Sequence, residues 1–437
     1  SLLRSQMENT VRAVNGEGTI RLGEETIGTY MHDVSDVLVG YIIDLDLYKE
    51  KIQELNTTGY AFESNSIYVN SKGNAAERFA AYLCDSLHQF QMKQYQYLVP
   101  VGLKGNQELI KDAKWTENDT TTFDLNNIIV SESAKPYFFA SYALQPYDNI
   151  FLNYPSEFLN YSDSYGDYPY GGYVREIKSL VNAHPVLVDA FGLSTNANIF
   201  EKESFLNGLT EEEQGQGIVR MLQAIRSHGY LGGIISDLND CWSNVSTDMY
   251  PYTVSLKNNS LWHNMLDQKQ TTGIVALEAE APTKIGLEFT DTDFMKQTQL
   301  FTNEEYLYIT ISLDKEIDYD KQELFIGLDT YQRNDGEYLY DKKYYANSLS
   351  GMEFIVKFES KIAASLYVAS NYNREKGKFV TQESYDGKYD FVSSLQYGNF
   401  MTANTHFYQS GTTVRIRIPW SMLNFTDPSQ KVVINDN

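Results

Sequence analysis

The chain has 437 residues, of which 58 are acidic and 35 are basic, so its formal net charge is −23. This length suits two domains, and this charge excludes nucleic acid and anionic membrane surfaces as partners. Two cysteines exclude a disulfide framework, and six histidines without metal-ligand spacing predict no catalytic metal. No apolar run approaches the ~18 residues of a membrane span.

Residues 1–268 alternate between amphipathic helices and short apolar strands. Helices are predicted over Leu3–Val14, Asn74–Gln94, Tyr173–Asn182 and Glu211–Ser227, the last opened by a capping box of Thr210 and Glu213. Strands are predicted over Val37–Ile43, Tyr97–Gly102, Tyr137–Leu144, Pro185–Phe191 and Tyr230–Ile235. Apolar runs without polar alternation are typical of parallel strands covered on both faces, and this order predicts a (β/α) TIM-type barrel. A barrel needs eight units and about five or six are found, so the first strands precede Ser1 or the barrel is incomplete.

Residues 269–437 change to strands that alternate with a period of two. These strands are predicted over Tyr306–Leu313, Glu323–Tyr331, Gly351–Phe358, Ala363–Tyr372 and Thr412–Trp420. Short alternating strands separated by turns predict an antiparallel β-sandwich. We place the domain boundary within Leu266–Gly273, which gives domains of 1–268 and 269–437.

Several segments, taken in order, resemble a group of bacterial extracellular barrel proteins related to retaining glycoside hydrolases. They are "DVSDVLVGYIIDLDL" (Asp33–Leu47), "FASYALQPYDNIFLNYPSEFLNY" (Phe139–Tyr161), "HPVLVDAFG" (184–192) and "EEEQGQGIVRMLQAIRSHGYLGGIISDLNDCW" (Glu211–Trp242), which are similar to the fourth, sixth, seventh and eighth strand regions. The second domain resembles a family 9 carbohydrate-binding-module-like or DOMON-like sandwich through "VRIRIPWSMLNFTDPS" (Val414–Ser429). The resemblance implies that the first barrel strands lie upstream of Ser1 or in another chain.

The resemblance also implies where catalytic carboxylates belong. A retaining glycosidase needs two carboxyl groups about 5–5.5 Å apart. The fourth-strand Glu of the relatives aligns with Asp46 and the seventh-strand Glu aligns with Ala190, which has no nucleophile. Asp189 is adjacent, but side chains alternate along a strand, so it is expected to point towards the helix layer unless a bulge turns it inwards. Asp240 matches an acidic position of the eighth strand and is a further catalytic candidate.

Other positions of the family's site differ as well, because Ala143 replaces a His and Leu47 replaces a Trp. The remaining candidate carbohydrate-binding residues are Tyr142, Tyr147, Trp242 and Asp44. No cofactor is predicted. The carboxylates of Asp318–Asp329 would suit a structural calcium in the sandwich, although they lack EF-hand spacing.

Three functions follow from this pattern. The first is an extracellular or cell-surface protein whose degenerate, non-catalytic barrel binds or organises polysaccharide. The second is an active glycoside hydrolase that uses Asp46 as the acid with Asp189 or Asp240. The third is a structural or protein-interaction module of a larger polysaccharide-synthesis protein.

Overall fold

The contacts in a computed structural model divide the chain into two compact units. Unit 1 comprises residues 1–192 and 219–235, and unit 2 comprises 193–218 and 236–437. The structure describes residues 2–22, 25–58, 62–116, 121–154, 156, 158–195, 209, 211–241, 270–275, 281–290, 293–330, 336–341, 344–345, 350–373, 378–379, 387–401, 405–423, 425–427 and 432–433.

The first part of the chain mixes helices with short strands. The helices are α1 (Leu2–Val14), α2 (Lys49–Thr57), α3 (Ala75–Tyr95), α4 (Asn149–Asn153), α5 (Pro169–Leu180) and α6 (Glu211–Ser227). The strands are β1 (Gly18–Leu22), β2 (Glu25–Tyr30), β3 (Tyr41–Ile43), β4 (Ile67–Val69), β5 (Val101–Lys104), β6 (Ile128–Val130), β7 (Phe138–Ala143), β8 (Ser162–Asp163), β9 (Gly166–Asp167), β10 (Val186–Phe191) and β11 (Gly233–Ile235).

A five-stranded parallel sheet lies at the centre of unit 1. Its order is β3–β5–β7–β10–β11, and every neighbouring pair is parallel. Each strand pairs with the next sheet strand along the chain, so the sheet is wound in one direction, as in the wall of a (β/α) barrel. The described sheet is therefore a parallel half-barrel of five strands.

Helices cover one face of this sheet, here called the covered face. Val188 of β10 lies on this face, pairs with Tyr142 and Gly233, and is fully buried. A Cβ atom on Gly233 would lie 3.3 Å from Ile225 of α6, so α6 packs against this face. The Tyr230 hydroxyl, just after α6, donates to the Val174 carbonyl of α5 at 2.8 Å.

The opposite face, here called the open face, is less completely buried. Ile42 of β3 and Ile234 of β11 lie on this face and remain 37% and 47% exposed. The Phe139 ring crosses β5 at its partner Gly102, where a Cβ would lie 2.3 Å from the ring. Only glycine fits at position 102, and its lack of a side chain lets the Phe139 ring lie directly against the β5 backbone.

The structure confirms the four predicted helices, with ends that move by a few residues. A capping box opens α3, where the Asn74 side chain accepts the Glu77 N–H and the Glu77 carboxylate accepts the Asn74 N–H, both at 2.9 Å. The box predicted at Thr210 lies outside the described residues. The predicted strands are present but shorter. Residues Ser35–Val37 form a 3-10 turn, and β5 begins only after Pro100, which has no N–H to donate.

Unit 2 is built from antiparallel strands. They are β12 (Thr283–Thr290), β13 (Met295–Thr302), β14 (Tyr306–Leu313), β15 (Leu324–Leu328), β16 (Leu339–Asp341), β17 (Tyr344–Tyr345), β18 (Phe354–Ser360), β19 (Ala363–Ala369), β20 (Tyr372–Asn373), β21 (Lys378–Phe379), β22 (Tyr389–Leu395), β23 (Phe407–Ser410), β24 (Thr413–Pro419), β25 (Phe425–Asp427) and β26 (Val432–Val433). The two larger sheets have the orders β12–β13–β14–β24–β23 and β15–β18–β19–β22.

One buried core draws side chains from both of these sheets. Ile311 and Ile416 enter it from the first sheet, and Phe354 and Leu366 enter it from the second. The alternation predicted for β14 is confirmed over the same residues, Tyr306–Leu313, and the other four predicted strands are present with shifted ends. The predicted boundary at 268/269 lies outside the described residues and stays a prediction. No helix among the described residues is long and apolar enough to cross a bilayer.

Candidate functional site

The carboxyl ends of the parallel strands bring together charged side chains that are distant in sequence. Lys104 ends β5 and Asp44 follows β3, and the Lys104 ammonium lies 3.0 Å from an Asp44 carboxylate oxygen. The other oxygen of Asp44 accepts the Asp46 N–H at 2.8 Å. In parallel α/β sheets, ligands bind at this end of the strands.

Asp189 joins this group because it follows Val188, which lies on the covered face, so alternation places Asp189 on the open face. Val188 pairs with Tyr142 of β7, but Ala190 already pairs with the next residue, Ala143. The extra residue is a bulge, and it takes Ala190, not Asp189, out of strict alternation. The expectation that Asp189 points towards the helix layer is wrong, because the covered face is the one that carries Val188.

Asp189 lies on the open face near Ser141 and Lys104. These two are partners in the β5–β7 ladder and so share one side of the sheet. Both Asp189 carboxylate oxygens are covered, and no group among the described residues donates them a hydrogen bond of standard geometry. Burial raises the pKa of Asp189, and the Lys104 ammonium and the Ser141 hydroxyl only partly offset it.

The Lys104 ammonium interacts with the carboxylates of Asp44, Asp46 and Asp189. Burial alone would lower its pKa, but Asp44, Asp189 and Asp46 together raise the pKa above the ordinary lysine value. Burial likewise opposes ionisation of Asp44, yet the Asp46 N–H and the Lys104 ammonium outweigh it and lower the pKa of Asp44. We call Asp44, Asp46, Lys104, Ser141 and Asp189 the Lys104 cluster.

Asp46 stands at the exposed edge of the Lys104 cluster. Its φ of 45° lies in the left-handed region, which aspartate adopts more readily than most residues. The side chain is 93% exposed and lies 3.9 Å from the Lys51 ammonium. An exposed ion pair of this kind contributes little to stability.

Two tyrosines proposed as sugar-binding residues lie in different surroundings. Tyr142 is on the covered face and fully buried, and its ring fills the space where a Cβ on Gly105 would sit. Burial also raises the pKa of Tyr142 far above its usual range. This placement keeps its ring from any ligand on the open face. Tyr147 is partly exposed on the loop that follows β7.

The eighth-strand candidates belong to unit 2. Asp240 is only 8% exposed, and its carboxylate accepts the Gly273 N–H at 2.9 Å. Hydrogen bonding of this kind is typical of an aspartate that fixes a loop. Trp242 lies outside the described residues.

Sequence reasoning missed Lys104 and Asp148. A charged residue that directly follows the apolar run Val101–Leu103 was a usable signal for Lys104. Asp148 sits in the loop after β7, and burial raises its pKa to about 6. It accepts hydrogen bonds from the Gln145 N–H at 2.8 Å and the Tyr173 hydroxyl at 3.2 Å. The contact with Gln145 is local and the contact with Tyr173 joins residues that are distant in sequence. Neither contact leaves a recognisable spacing pattern in the sequence.

One of the possible calcium ligands of unit 2, Asp318, has other partners. Asp318 pairs with the Lys321 ammonium at 2.6 Å and accepts the Asp320 N–H at 3.2 Å. Within the part of the chain that the structure describes, no three His, Cys, Asp or Glu side chains come together as metal ligands would. The calcium prediction therefore has no described ligand set.

No protein-family model matches this chain, and no curated protein matches it. A β-glucuronidase from Bacteroides uniformis aligns with 74% of this chain and 31% of its own at 12% identity and a TM-score of 0.25. A putative β-galactosidase from Bacteroides fragilis aligns with 74% of this chain and 39% of its own at 9% identity and a TM-score of 0.25. The chain thus spans about a third of the length of these weak structural neighbours, which are both named as glycosidases.

Proposed function

We propose that this chain is an extracellular, carbohydrate-related protein whose degenerate glycoside-hydrolase-like barrel wall binds polysaccharide without cleaving it. The antiparallel sheets of unit 2 then form an accompanying β-sandwich. The five parallel strands act as part of an eight-stranded barrel, with the other strands supplied from outside the described sheet. The sequence resemblance and the Lys104 cluster together support this proposal.

One observation carries the non-catalytic part of the proposal. The oxygens of Asp189 are covered, Asp44 is held by Lys104 at 3.0 Å, and Asp46 is 93% exposed beside Lys51. Retaining hydrolysis needs one protonated and one ionised carboxyl group facing each other across a space for the sugar. The cluster therefore offers one covered, one paired and one fully exposed carboxylate, and Ala190 supplies no further carboxyl group.

Binding a sugar requires fewer precisely placed groups than cleaving one. The Lys104 ammonium donates hydrogen bonds and the Asp44 carboxylate accepts them, and this pair is 31% and 51% exposed. Sugar hydroxyls both donate and accept, so a fixed donor–acceptor pair at the carboxyl ends of the strands suits them. The pair holds its geometry before a ligand arrives, which lowers the entropic cost of binding.

The test measures binding and turnover on the same panel of neutral α- and β-linked oligosaccharides. We expect binding without turnover, and Lys104→Met should weaken that binding by about tenfold, as for a truncated contact at the centre of a site. Lys361→Met is the matched control, because Lys361 forms a comparable ion pair with Glu316 at 2.5 Å in unit 2. Turnover that disappears in Asp46→Asn would overturn the non-catalytic proposal.

An active glycosidase is the second candidate, and the position of Asp189 favours it. Asp189 lies on the open face, and burial raises its pKa in the direction that a general acid requires. Asp46 would then supply the second carboxyl group. For this candidate, Asp189→Asn must abolish turnover of chromogenic glycosides while leaving oligosaccharide affinity close to that of the wild type.

A further inference from the structure

The loop that follows β7 is held by one carboxyl group, that of Asp148. Its Oδ2 atom accepts the Gln145 N–H of the same loop at 2.8 Å, the Tyr173 hydroxyl of α5 at 3.2 Å and the Gln107 side-chain amide at 3.3 Å. Gln107 opens the turn that follows β5, and its side chain also donates to the Ala143 carbonyl at the end of β7. One side chain therefore joins two loops and a helix at the carboxyl ends of the strands.

Asp148 makes these contacts in place of the usual contact of its position. It is the N-cap of α4, where an aspartate commonly accepts an N–H group from the first turn of its own helix. Within the described helix, however, its side chain makes no such bond. All three donors meet Oδ2, so Oδ1 can carry a proton without displacing any of them. The arrangement therefore suits a neutral carboxylic acid.

Burial is the main reason why Asp148 favours its neutral form. Burial raises the pKa of Asp148 to about 6, although the three hydrogen bonds act in the opposite direction, and the negative charge of Glu108 in the turn after β5 adds to the rise. From α5, the hydroxyls of Tyr170 and Tyr173 also interact with this carboxyl group. Burial raises the pKa of both tyrosines far above their usual range, so they stay neutral.

The turn after β5 also contacts the Lys104 cluster. Between Lys104 and Gln107, the Asn106 side chain donates to the Leu47 carbonyl at 3.0 Å. Leu47 directly follows Asp46 in the chain, so this bond connects the turn to an acidic member of the cluster. A change in the contacts of Gln107 can therefore reach the candidate binding residues through contiguous contacts.

We propose that Asp148 is a pH-sensitive latch on the Lys104 cluster, whose neutral form holds the loops after β5 and β7 together and whose ionised form loosens them. This role rests on the proposed function, because it regulates the binding site that this function assigns. A carboxyl group with a raised pKa stabilises the packed loops below its ordinary pKa, and that stability is lost as pH rises through the folded-state pKa. Packed loops hold the cluster in place before a ligand arrives, so oligosaccharides should bind more tightly in acid.

The first experiment follows the loop amides and the Asp148 carboxyl carbon by NMR from acid to neutral pH. We expect a transition centred at about pH 6 in the wild type. It should be absent in Asp148→Asn, which keeps the shape of the neutral acid. Glu108→Gln should move the midpoint to lower pH because it removes a nearby negative charge, and Tyr173→Phe should move it to higher pH because it removes a hydrogen bond to the carboxylate. Loop amides that titrate alike in all four proteins, or in none, would overturn the latch.

The second experiment measures the affinity for neutral hexasaccharides of β-1,4-linked glucose and N-acetylglucosamine on either side of this midpoint. We expect the affinity of the wild type to fall by about fivefold or more as pH rises, which is the lower end of couplings between two sites. The pair of Lys104 and Asp44 stays ionised there, because the pKa of Asp44 is lowered and that of Lys104 is raised. The pKa of Asp189 is raised as well, so Asp148→Asn is the control, and pH dependence that persists in this variant would contradict the latch.

The outcomes separate the latch from the proposed function. If Lys104→Met weakens binding but the wild-type affinity is the same on both sides of the midpoint, the latch is wrong and the proposed function stands. If the loop transition and its opposite shifts appear but no hexasaccharide binds at either pH, the proposed function is wrong and so is regulation of binding. Binding in Asp148→Asn that matches the wild type in acid shows that the variant is folded and supports the latch.

Discussion

The parallel sheet of unit 1 and the antiparallel sheets of unit 2 differ in how completely their faces are buried. In unit 2, side chains from both large sheets meet in one core, where Phe354 and Leu366 are fully buried. In unit 1, helices bury Val188 and Tyr142 on the covered face, but Ile42 and Ile234 on the open face keep 37% and 47% of their surface exposed.

The difference shows where polar chemistry is tolerated. A parallel sheet is normally buried on both faces, yet the open face carries Lys104, Ser141 and Asp189. The Lys104 charge is tolerated there because Lys104 pairs with Asp44 and both side chains reach solvent at the strand ends, whereas an unpaired charge in the unit 2 core would be strongly destabilising. The comparison therefore shows that the charged side chains of the parallel sheet lie on its open face, where the proposed function puts ligand binding.

The largest expected effect comes from the core of unit 2. Phe354→Ala should lower the free energy of unfolding by about 3–5 kcal/mol, because it leaves a cavity where a fully buried ring was. Ile234→Ala on the open face should lower it by less than about 1 kcal/mol, since much of that side chain is already in water. Denaturant titration measures both. Equal losses would show that the open face is as tightly packed as the core.

Replacing a buried aspartate in the packed part of unit 1 should also lower the free energy of unfolding. Asp85 of α3 is 1% exposed and accepts the N–H groups of Asn65, Ser66 and Ile67 at 2.8, 2.8 and 3.1 Å. Asp85→Asn replaces one acceptor oxygen by a donor, so we expect a loss of about 2–4 kcal/mol in unfolding free energy. Thermal and denaturant unfolding test this, and a change near zero would contradict the hydrogen-bond account.

Asp189→Asn makes the same substitution on the open face, and its effect on the unfolding free energy should be opposite in sign and smaller. Asp189 has a raised pKa and covered oxygens, so Asp189→Asn should raise the unfolding free energy at neutral pH by roughly 1 kcal/mol. A carboxyl group whose pKa is raised in the folded protein adds stability at pH values below its ordinary pKa, and that stability is lost as pH rises through the folded-state pKa. The stability gain of Asp189→Asn over the wild type should therefore vanish in acid. Asp46→Asn, at a 93% exposed side chain, should change little.

Much of the fold could be predicted from periodicity alone. The helices and most strands follow from local patterns, as in β14, where buried and less buried residues alternate over Tyr306–Leu313. The β5 limits were shifted because Pro100 cannot donate to a ladder, which is a property of one residue rather than of the pattern.

The site was less predictable, for two physical reasons. Alternation along β10 correctly implied two faces, but the face that Asp189 occupies depends on the pairing of Val188 with Tyr142, which is distant in sequence. The partnership of Lys104 and Asp44 likewise depends on neighbouring strands β3 and β5. Burial of Tyr142 follows from the face it occupies, and that face could be assigned only once the ladder was known.

The titration of Asp189 tests the central claim most directly, because the claim is that this carboxylate lies on the open face beside Lys104. Carboxyl-carbon NMR of the wild type and of Lys104→Met measures it. We expect a pKa above the ordinary aspartate value in the wild type, and a still higher pKa in the variant, since the ammonium that favours ionisation is gone. An ordinary pKa that does not respond to loss of Lys104 would place Asp189 elsewhere and contradict the account.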